Sequence, residues 1–327
     1  MKIAVIDNDK ITVKNSADIE LAGRKGAVVK VLGSGLCGSD IVKFREHISG
    51  NGTVLGHEIV AQIKEINSDT NFKVGDRIVT SHHIPCGKCN YCKHGNVSMC
   101  EHFKSTNIKP GGFSEYVYLS EEHLQNVAHL IPENLTEVEA SFYEPLGCCV
   151  RAVKRANLTE HSTVLVVGLG SIGILMSQAL KAFGMEVTGC DLLPERIDFL
   201  NNLGIKATDS RELANKQEFD AIFMTSGADK AIDVALNNVR SGGTILVFSS
   251  TPKNTGYGNN EIYYRELTVL GSYSPSPKDL KDSLELLHNG KVIVKNISTI
   301  YQLDDIQQAF DDTISNKIMK AYIKIKD

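Results

Sequence analysis

The chain has 327 residues, of which 42% are hydrophobic and 23% charged, and its formal net charge is −4. This length predicts about two domains that can bury a core, and the apolar fraction excludes a disordered chain. The slightly acidic balance gives no attraction to nucleic acid or to an anionic membrane, so we expect neither as a partner. The most apolar run, residues 164–180, contains three glycines and two serines and does not resemble a transmembrane helix. The start of the chain lacks the apolar core of a signal peptide, and we expect a cytoplasmic protein.

The first part of the chain predicts a β-rich domain. Up to about residue 120, short apolar segments alternate with glycine-containing turns, a pattern typical of strands and hairpins. The predicted strands cover residues 2–6, 11–14, 27–32, 58–66, 77–80 and 113–119.

The pattern changes near Pro132. A long helix is predicted over residues 136–156, because acidic residues lie near its start and basic residues near its end. The alternation of strands and helices that follows predicts a parallel, doubly wound sheet. The predicted strands are 163–167, 186–190, 219–225, 243–248 and 268–273, and the helices between them are 171–183, 195–203 and 228–239. A helix over 303–310 and a strand over 319–325 end the chain, which gives an α/β fold class.

Half of the eight cysteines lie within fifteen residues. In an intracellular protein such clustering indicates metal binding before disulfides. The spacing suits one tetrahedral zinc ion, and four sulfur ligands leave no open position, so the predicted site is structural. Incidental or buried cysteines are the alternative, which the turn-rich composition of the loop disfavours. The four candidate ligands are Cys86, Cys89, Cys92 and Cys100.

A glycine motif follows the first apolar strand of the alternating region and precedes a helix. This context predicts a dinucleotide-binding turn, in which the backbone approaches the pyrophosphate at the start of the helix. The alternative is an ordinary strand–helix turn that happens to use glycines. The candidate cofactor-binding residues of this turn are Gly168, Gly170, Ser171, Ile172 and Gly173.

Asp191, at the end of the next predicted strand, indicates the type of dinucleotide. A carboxylate there hydrogen-bonds the adenosine ribose and repels a 2′-phosphate, so NAD is expected over NADP. Arg196 lies five residues later and is also a candidate cofactor-binding residue that would soften this preference, although a solvated helix residue is the simpler interpretation.

Three further segments carry groups that bind metals in other proteins. Cys37 lies in a Cys-Gly-Ser-Asp string, His57 and Glu58 follow Gly56, and Glu144 precedes Pro145. Spacing alone does not connect these segments, and a lone histidine is more often structural than a ligand.

Taken together, the motifs resemble the medium-chain, zinc-dependent alcohol dehydrogenase family over nearly the whole chain. The likeness is greatest to its sorbitol (polyol) and threonine dehydrogenase branch. The resemblance implies a GroES-like β-rich catalytic domain over residues 1–149, completed by about 292–327, and a Rossmann domain over 150–291.

The resemblance also implies a catalytic zinc site. Cys37 and His57 match ligands of that zinc, while Glu58 and Glu144 match carboxylates that bind it directly or through water. Other matched residues have supporting roles: Asp40 orients the histidine, as metal sites commonly require, and Ser39 takes the proton from the alcohol. Val42 stands where many members have a histidine that ends the proton relay. Four further residues match no ligand, and we predict packing roles for them: His82, His83, Cys148 and Cys149.

The implied activity is NAD-dependent oxidation of a secondary alcohol, of a polyol or sugar (phosphate) derivative, with one catalytic and one structural zinc per chain. The resemblance further implies a homo-oligomer, either a dimer or a tetramer. Threonine or simple alcohol dehydrogenase is an alternative of the same class. A non-catalytic, zinc-stabilised NAD-binding protein and a zinc-free enzyme like the quinone reductases are alternatives of other kinds. Cys37, His57 and Glu144 argue against both, since neither needs an open metal site.

Overall fold

The structure is a computed structural model that describes residues 1–250 and 256–325. The chain forms two compact units. The first unit comprises Met1–Pro145, Ser276–His288 and Val294–Asp327, and the second comprises Leu146–Pro275 and Asn289–Ile293. The predicted domain limits at residues 149 and about 292 stay predictions.

The strands are β1 (Lys2–Asp7), β2 (Lys10–Asn15), β3 (Gly26–Gly35), β4 (Glu58–Asn67), β5 (Arg77–Thr80), β6 (Tyr116–Ser120), β7 (His129–Leu130), β8 (Thr163–Val167), β9 (Glu186–Asp191), β10 (Lys206–Asp209), β11 (Phe219–Met224), β12 (Val239–Val247), β13 (Thr268–Gly271), β14 (Ser298–Gln302) and β15 (Lys320–Lys324).

The α-helices are α1 (Gly38–Arg45), α2 (Asn90–Lys93), α3 (Glu101–Ser105), α4 (Glu121–Asn126), α5 (Glu137–Ala140), α6 (Tyr143–Ala156), α7 (Ser171–Ala182), α8 (Pro194–Asn202), α9 (Lys230–Asn238), α10 (Asn259–Tyr264), α11 (Pro277–His288) and α12 (Ile306–Ile314). Short 3-10 helices cover Val97–Met99, Ser210–Glu212 and Leu303–Asp305.

The first unit is built on a sheet with the strand order β14-β15-β3-β4-β5-β7, in which β6 also pairs with β3. The long central strand β3 pairs antiparallel with β4, β6 and β15. Alternate residues of β3, Ala27, Val29 and Val31, are fully buried in the core of this unit. The strand β15, near the end of the described residues, thus belongs to the same sheet as β3 and β4 from the first part of the chain.

The second unit contains a six-stranded sheet with the order β10-β9-β8-β11-β12-β13, and its strand pairs are all parallel. Read in chain order, this is the 3-2-1-4-5-6 arrangement of a Rossmann fold. The central strands β8 and β11 are almost continuously apolar and buried, as parallel strands covered on both faces must be. The prediction of a doubly wound parallel sheet is therefore confirmed.

The single long helix predicted over residues 136–156 is wrong, because the structure divides it into α5 and α6. Thr136 and Glu139 form a capping box that starts α5, which ends at Ala140. Pro145 has no backbone N–H to donate, and proline is tolerated only in the first turn of a helix. The chain therefore starts a new helix at Tyr143, which places Glu144 in its first turn.

Several elements give weak sequence patterns and were not predicted. The helix α1 buries only Phe44 and the polar Asp40, so it shows no apolar stripe. The edge strand β14 is largely exposed and shows no clear alternation. The predicted helix over 303–310 begins with a 3-10 turn, and α12 continues it to Ile314. No helix in the described part of the chain is long and apolar enough to cross a membrane.

Candidate active site

The four clustered cysteines converge on one point. Their sulfur atoms all lie within 4.8 Å of one another, and the Sγ atoms of Cys89 and Cys92 are 3.6 Å apart. The backbone N–H groups of Cys86 and Cys89 donate to the sulfurs of Cys100 and Cys86, each at 3.4 Å. Short elements supply this geometry, since Cys89 directly precedes α2 and Cys100 directly precedes α3. We call residues 86–105 the cysteine lobe.

The electrostatics of the lobe suit a divalent cation. Backbone N–H groups of Lys88 and Cys89 lower the pKa of the Cys86 thiol. Burial opposes ionisation of Cys100, yet N–H groups outweigh it and lower that pKa to about 6. Burial raises the pKa of the Cys92 thiol to about 12, and its side-chain hydrogen bonding with Cys89 adds to this rise. The four sulfurs cannot all ionise beside one another, and a bound Zn²⁺ would provide the charge that lets them do so.

A second cluster brings together three of the dispersed residues. Ligand atoms of Cys37, His57 and Glu58 lie within 4.8 Å of one another. Cys37 lies between the end of β3 and the start of α1, while Glu58 is the first residue of β4 and His57 directly precedes it. The antiparallel register of β3 and β4 pairs Gly35 with Glu58, so the sheet itself brings these segments together.

Asp40 supports His57 from α1. The two side chains approach to 3.4 Å between Asp40 Oδ1 and His57 Nδ1, and the backbone N–H groups of Cys37 and Gly56 also donate to this carboxylate. Burial by itself would lower the pKa of His57, but the charges of Asp40 and Cys37 raise it well above its usual value. Burial likewise opposes ionisation of Asp40, and the charge of His57 nevertheless keeps its pKa lowered.

Lys320 is a member of this cluster that the sequence did not reveal. Its Nζ lies 2.6 Å from Glu58 Oε2 and donates to the carbonyl of Leu36 at 3.3 Å, and the side chain is only 4% exposed. Burial would lower the pKa of Lys320, but Glu58 and Cys37, followed by Glu144, raise it. A Cβ at Gly35 would lie 1.9 Å from Glu58 Oε2, so only glycine leaves room for the pair.

The Glu58 carboxylate retains acceptor capacity. Its two oxygens are buried, and neither has a well-aligned hydrogen-bond partner within the described residues, although the ammonium of Lys320 is close. Lys320 and Glu58 therefore form a close ion pair, which needs only proximity, whereas a hydrogen bond needs direction as well. A sulfur, an imidazole and an under-satisfied carboxylate around one point fit a divalent transition metal.

Glu144 and Ser39 occupy different positions around this cluster. Glu144 is buried and its charge acts on Lys320, but it does not belong to the group whose ligand atoms lie within 4.8 Å. Ser39 is exposed on α1, two residues after Cys37. Val42, which stands where many family members have a relay histidine, is 37% exposed on the same helix.

The residues with predicted packing roles are buried or half-buried, and two of them lie beside the metal cluster. The ring of His82 lies next to that of His57, with centroids 4.5 Å apart, and the ring of His83 follows at 3.9 Å. Burial lowers the pKa of both histidines, for His83 to about 4. Their position could have been inferred from the antiparallel pairing of β4 and β5. Cys149 is fully buried in α6, and Cys148 is half-buried beside it.

In the second unit, the glycine motif forms a tight turn between β8 and α7. Gly168 has a φ of +95°, and a Cβ at this position would contact Ser226 at 2.7 Å. A Cβ at Gly173 would lie 1.9 Å from the carbonyl oxygen of Gly168. Gly170 precedes the first residue of α7 in an extended conformation. The turn thus leaves the start of α7 open to a phosphate.

Asp191 ends β9 beside this turn. Its Oδ2 accepts a hydrogen bond from the N–H of Leu169 at 2.6 Å, and its Oδ1 accepts from Leu192 and Leu193 at 2.8 and 3.0 Å. The guanidinium of Arg196 lies 3.7 Å from Asp191 Oδ2, and the Arg196 side chain is only 18% exposed. The interpretation of Arg196 as a solvated helix residue is therefore wrong, because its charge is paired with the carboxylate.

Comparisons with known proteins identify the family. Family models match residues 23–130, as an alcohol dehydrogenase GroES-like domain, and residues 171–289, as a zinc-binding dehydrogenase. The chain is 30% identical over 336 residues to a probable D-xylulose reductase A of Neosartorya fischeri, covering 93% of this chain and 90% of the relative. The chain belongs to the zinc-binding alcohol dehydrogenase family.

Other relatives extend the comparison. A D-arabitol-phosphate dehydrogenase of Enterococcus avium is 30% identical over 318 residues, which cover 91% of this chain and 89% of the relative. The solved structure of galactitol-1-phosphate dehydrogenase from Escherichia coli has the same fold, with a TM-score of 0.87 and 24% identity over 99% of this chain and 100% of the other. The predicted family, the GroES-like and Rossmann folds and the zinc- and NAD-dependent dehydrogenase class are confirmed.

Proposed function

We propose that this dehydrogenase oxidises a secondary alcohol of a polyol or of a sugar phosphate, with NAD as the hydride acceptor. The observation that carries the proposal is the ligand cluster of Cys37, His57 and Glu58, which contains one sulfur only. Relatives named D-xylulose reductase and D-arabitol-phosphate dehydrogenase support the substrate class.

The cluster of the first unit is the proposed catalytic metal site. Cys37 and His57 bind the zinc, and the Glu58 carboxylate completes the set directly or through water. Glu144, which is buried and acts electrostatically on Lys320, binds the metal either directly or through a metal-bound water. The four sulfurs of the cysteine lobe hold a second, structural zinc.

The chemistry follows from the donor set. Zinc supplies Lewis acidity toward the alcohol oxygen, and NAD supplies the hydride acceptor. With one thiolate beside imidazole and carboxylate, the set is harder than one with two thiolates, which suits an oxygen substrate and makes the metal more exchangeable. The hydroxyl of Ser39, which is exposed, relays the proton of the substrate alcohol: it accepts that proton and releases its own to solvent water. Asp40 holds the ring of His57 in place.

The glycine turn of the second unit is the proposed dinucleotide site. The N–H groups at the start of α7 bind the pyrophosphate, and Asp191 accepts hydrogen bonds from the adenosine ribose. Both carboxylate oxygens already accept from backbone N–H groups, which orients them before the ribose binds. Arg196, paired with Asp191, reduces the repulsion that a 2′-phosphate would meet.

The test is an NAD-coupled absorbance screen over polyols, polyol phosphates, L-threonine and simple secondary alcohols. We expect the highest kcat/KM with a polyol or a polyol phosphate. A preference for threonine or for a simple alcohol would contradict the substrate class. Binding of NAD without turnover of any of these compounds would favour the non-catalytic alternative.

Glu144 variants test the active site within the same screen. Glu144→Ala should lower kcat by two orders of magnitude or more and weaken metal retention at the Cys37 cluster, with NAD affinity and lobe zinc unchanged. Glu144→Cys should recover metal binding better than activity toward polyols, because a second thiolate makes the metal a weaker Lewis acid. Normal turnover in Glu144→Ala would refute the role of this residue.

We also propose a cytoplasmic homo-oligomer, a dimer or a tetramer. The exposed aromatic rings of Tyr263 and Tyr264 and the edge position of β13 in the second unit support self-association. Eight free cysteines support a reducing compartment. Light scattering gives the molar mass, and a monomer at micromolar concentration would contradict the proposal.

A further inference from the structure

The sheet of the first unit places His82 opposite the candidate metal ligand His57. Strands β4 and β5 pair antiparallel, and their register joins Ile59 to Thr80. Two more residues along this register bring His57 opposite His82, just beyond the end of the ladder. The two rings are in contact there, with centroids 4.5 Å apart and planes inclined by 44°.

The ring contacts continue from His82 into the cysteine lobe. The centroids of His82 and His83 are 3.9 Å apart, and those of His83 and Phe103 are 4.7 Å apart. Phe103 is 3% exposed in α3, which begins directly after the lobe ligand Cys100. We call His82, His83 and Phe103 the ring row. The row is an unbroken packed path from the structural metal cluster to His57.

Hydrogen bonds hold the row on both sides. The ring nitrogen Nδ1 of His83 contacts the carbonyl of Thr106, whose hydroxyl accepts from the N–H of Ile84 at 2.9 Å. The backbone carbonyl of His82 lies 3.2 Å from Nε2 of His123. These contacts anchor the histidines to α4 and to Thr106, which directly follows α3, so a shift of α3 would move the rings.

The polar contacts of His57, with the side chains of Asp40 and Cys37, are made by its ring nitrogens and leave the tilt of the ring less constrained. The approach of Asp40 Oδ1 to Nδ1 is long, at 3.4 Å, and it limits the position of one ring atom more than the ring plane. The face of the ring is covered by His82, which is itself buried. In a close-packed interior, removing such a neighbour lets the ring turn.

We propose that His82 is a positioning residue for the metal ligand His57, and that the ring row transmits the order of the cysteine lobe to the Cys37–His57–Glu58 cluster. This inference rests on the proposed function, because it takes that cluster as the catalytic metal site. It gives the cysteine lobe a role beyond stability. Loss of the lobe metal releases α3, Phe103 shifts, and His57 is then held less well for the second metal.

Cobalt binding tests the proposal without relying on activity. The zinc-free protein is titrated with Co²⁺, and the ligand-field absorption of the one-sulfur site is followed separately from that of the four-sulfur lobe. In His82→Ala and Phe103→Leu we expect the dissociation constant of the one-sulfur site to rise about tenfold or more, with an altered absorption band. His82→Phe retains a ring face and should stay within about threefold of the wild type.

The control is Leu119→Ala, a fully buried substitution in β6 of the same unit whose side chain is outside the row. It should leave the cobalt affinity of the one-sulfur site unchanged. An equal loss in this control would overturn the proposal, because general destabilisation would then explain the effect.

Two further outcomes distinguish failure of the ring-row role from failure of the proposed catalytic metal site. Normal affinity and an unchanged band in both His82→Ala and Phe103→Leu would overturn the ring-row role alone. If the wild type bound cobalt only in the lobe, and Cys37→Ser changed no absorption band, the proposed catalytic site would fail and this inference with it. If His82→Ala does not fold, Phe103→Leu, which keeps both histidines, decides between the same outcomes.

Discussion

Lys320 shows how a single buried charge can organise a candidate metal site. Its ammonium is removed from water and lies between the Glu58 carboxylate and the carbonyl of Leu36. An isolated buried charge is very unfavourable, so the pair persists only because each partner compensates the other. Lys320 thereby holds the two segments that carry Cys37 and Glu58, and its ammonium balances the charge of the Glu58 carboxylate.

Replacement of Lys320 tests this role. Lys320→Met leaves Glu58 buried without its counter-charge, and the free energy of unfolding should fall by about 3–5 kcal/mol in the presence of a chelator. Zinc should recover part of this loss, because the cation then compensates the carboxylate. Urea unfolding with and without chelator measures both effects.

The exposed pair of Lys2 and Asp304, with a 3.0 Å distance, provides the matched control. Lys2→Met should change the free energy of unfolding by less than about 1 kcal/mol, since an exposed ion pair is screened by water. Equal effects of the two substitutions would show that burial of Lys320 has no special consequence.

Asp191 is predicted to enforce the choice of dinucleotide. Asp191→Ala removes the ribose acceptor and three hydrogen bonds to backbone N–H groups, and we expect the KM for NAD to rise about tenfold or more. The KM for NADP should change less, because the repulsion of a 2′-phosphate is lost as well. Asp191→Asn keeps one acceptor oxygen, so its KM for NAD should lie between the values of the wild type and of Asp191→Ala. A wild-type preference for NADP would contradict the assignment.

At the scale of elements, the cysteine lobe has little structure of its own, and we predict that a bound metal orders it. Its helices α2 and α3 have only four and five residues, too few to be stable alone. Apart from Phe103 and its neighbour Cys100, the segment buries few side chains. A closed four-sulfur site compensates for this missing core, as it does in other small metal-bound segments.

The substitution Cys92→Ser should therefore remove about one zinc per chain and lower the melting temperature by about 5 °C or more. Elemental analysis and a thermal scan measure the two quantities. Cys148→Ser, outside the cluster, is the control and should retain both zinc ions. An unchanged zinc content and melting curve in Cys92→Ser would mean that these sulfurs hold no structural metal.

At the scale of the whole molecule, buried and half-buried histidines make stability depend on pH. Burial lowers the pKa of His83 to about 4, and it also lowers the pKa values of His82, His123 and His129. Below the usual value of about 6.5, the unfolded chain binds protons that the folded chain does not. The contribution of these groups to the free energy of unfolding is therefore complete above about pH 6.5, and it is lost as the pH falls toward 4. The effect of His57 on the pH dependence has the opposite sign in the metal-free protein, because a raised pKa stabilises the folded state at lower pH.

His83→Phe tests the direction of this dependence while keeping a ring in the row. With zinc present, its urea midpoint should fall less steeply than that of the wild type between pH 7 and 5. His94→Gln, at an exposed position in the lobe, should follow the wild-type profile. A wild-type protein whose stability rises as the pH falls through this range would contradict the expected sign.

Local patterns identified much of the site. The cysteine spacing and the glycine turn were found from the sequence because neighbours in the chain build both features. The break between α5 and α6 was missed, although Pro145 carried the signal: a proline must stand in the first turn of its helix. The helix α1 was missed because it buries Asp40, and a polar residue that faces inward interrupts an apolar pattern.

The sequence by itself determined the family, the two fold types, the glycine turn of the dinucleotide site and the four-cysteine motif. All of these depend on residues that are close in the chain. Only the tertiary structure decided that Lys320 meets Glu58, that Arg196 pairs with Asp191 and that His82 covers His57. The physical reason is that strand register and helix packing set these contacts. A lysine in a short C-terminal strand has no local feature that distinguishes a buried ion pair from a solvated side chain, and pairing of β15 with β3 supplies that distinction.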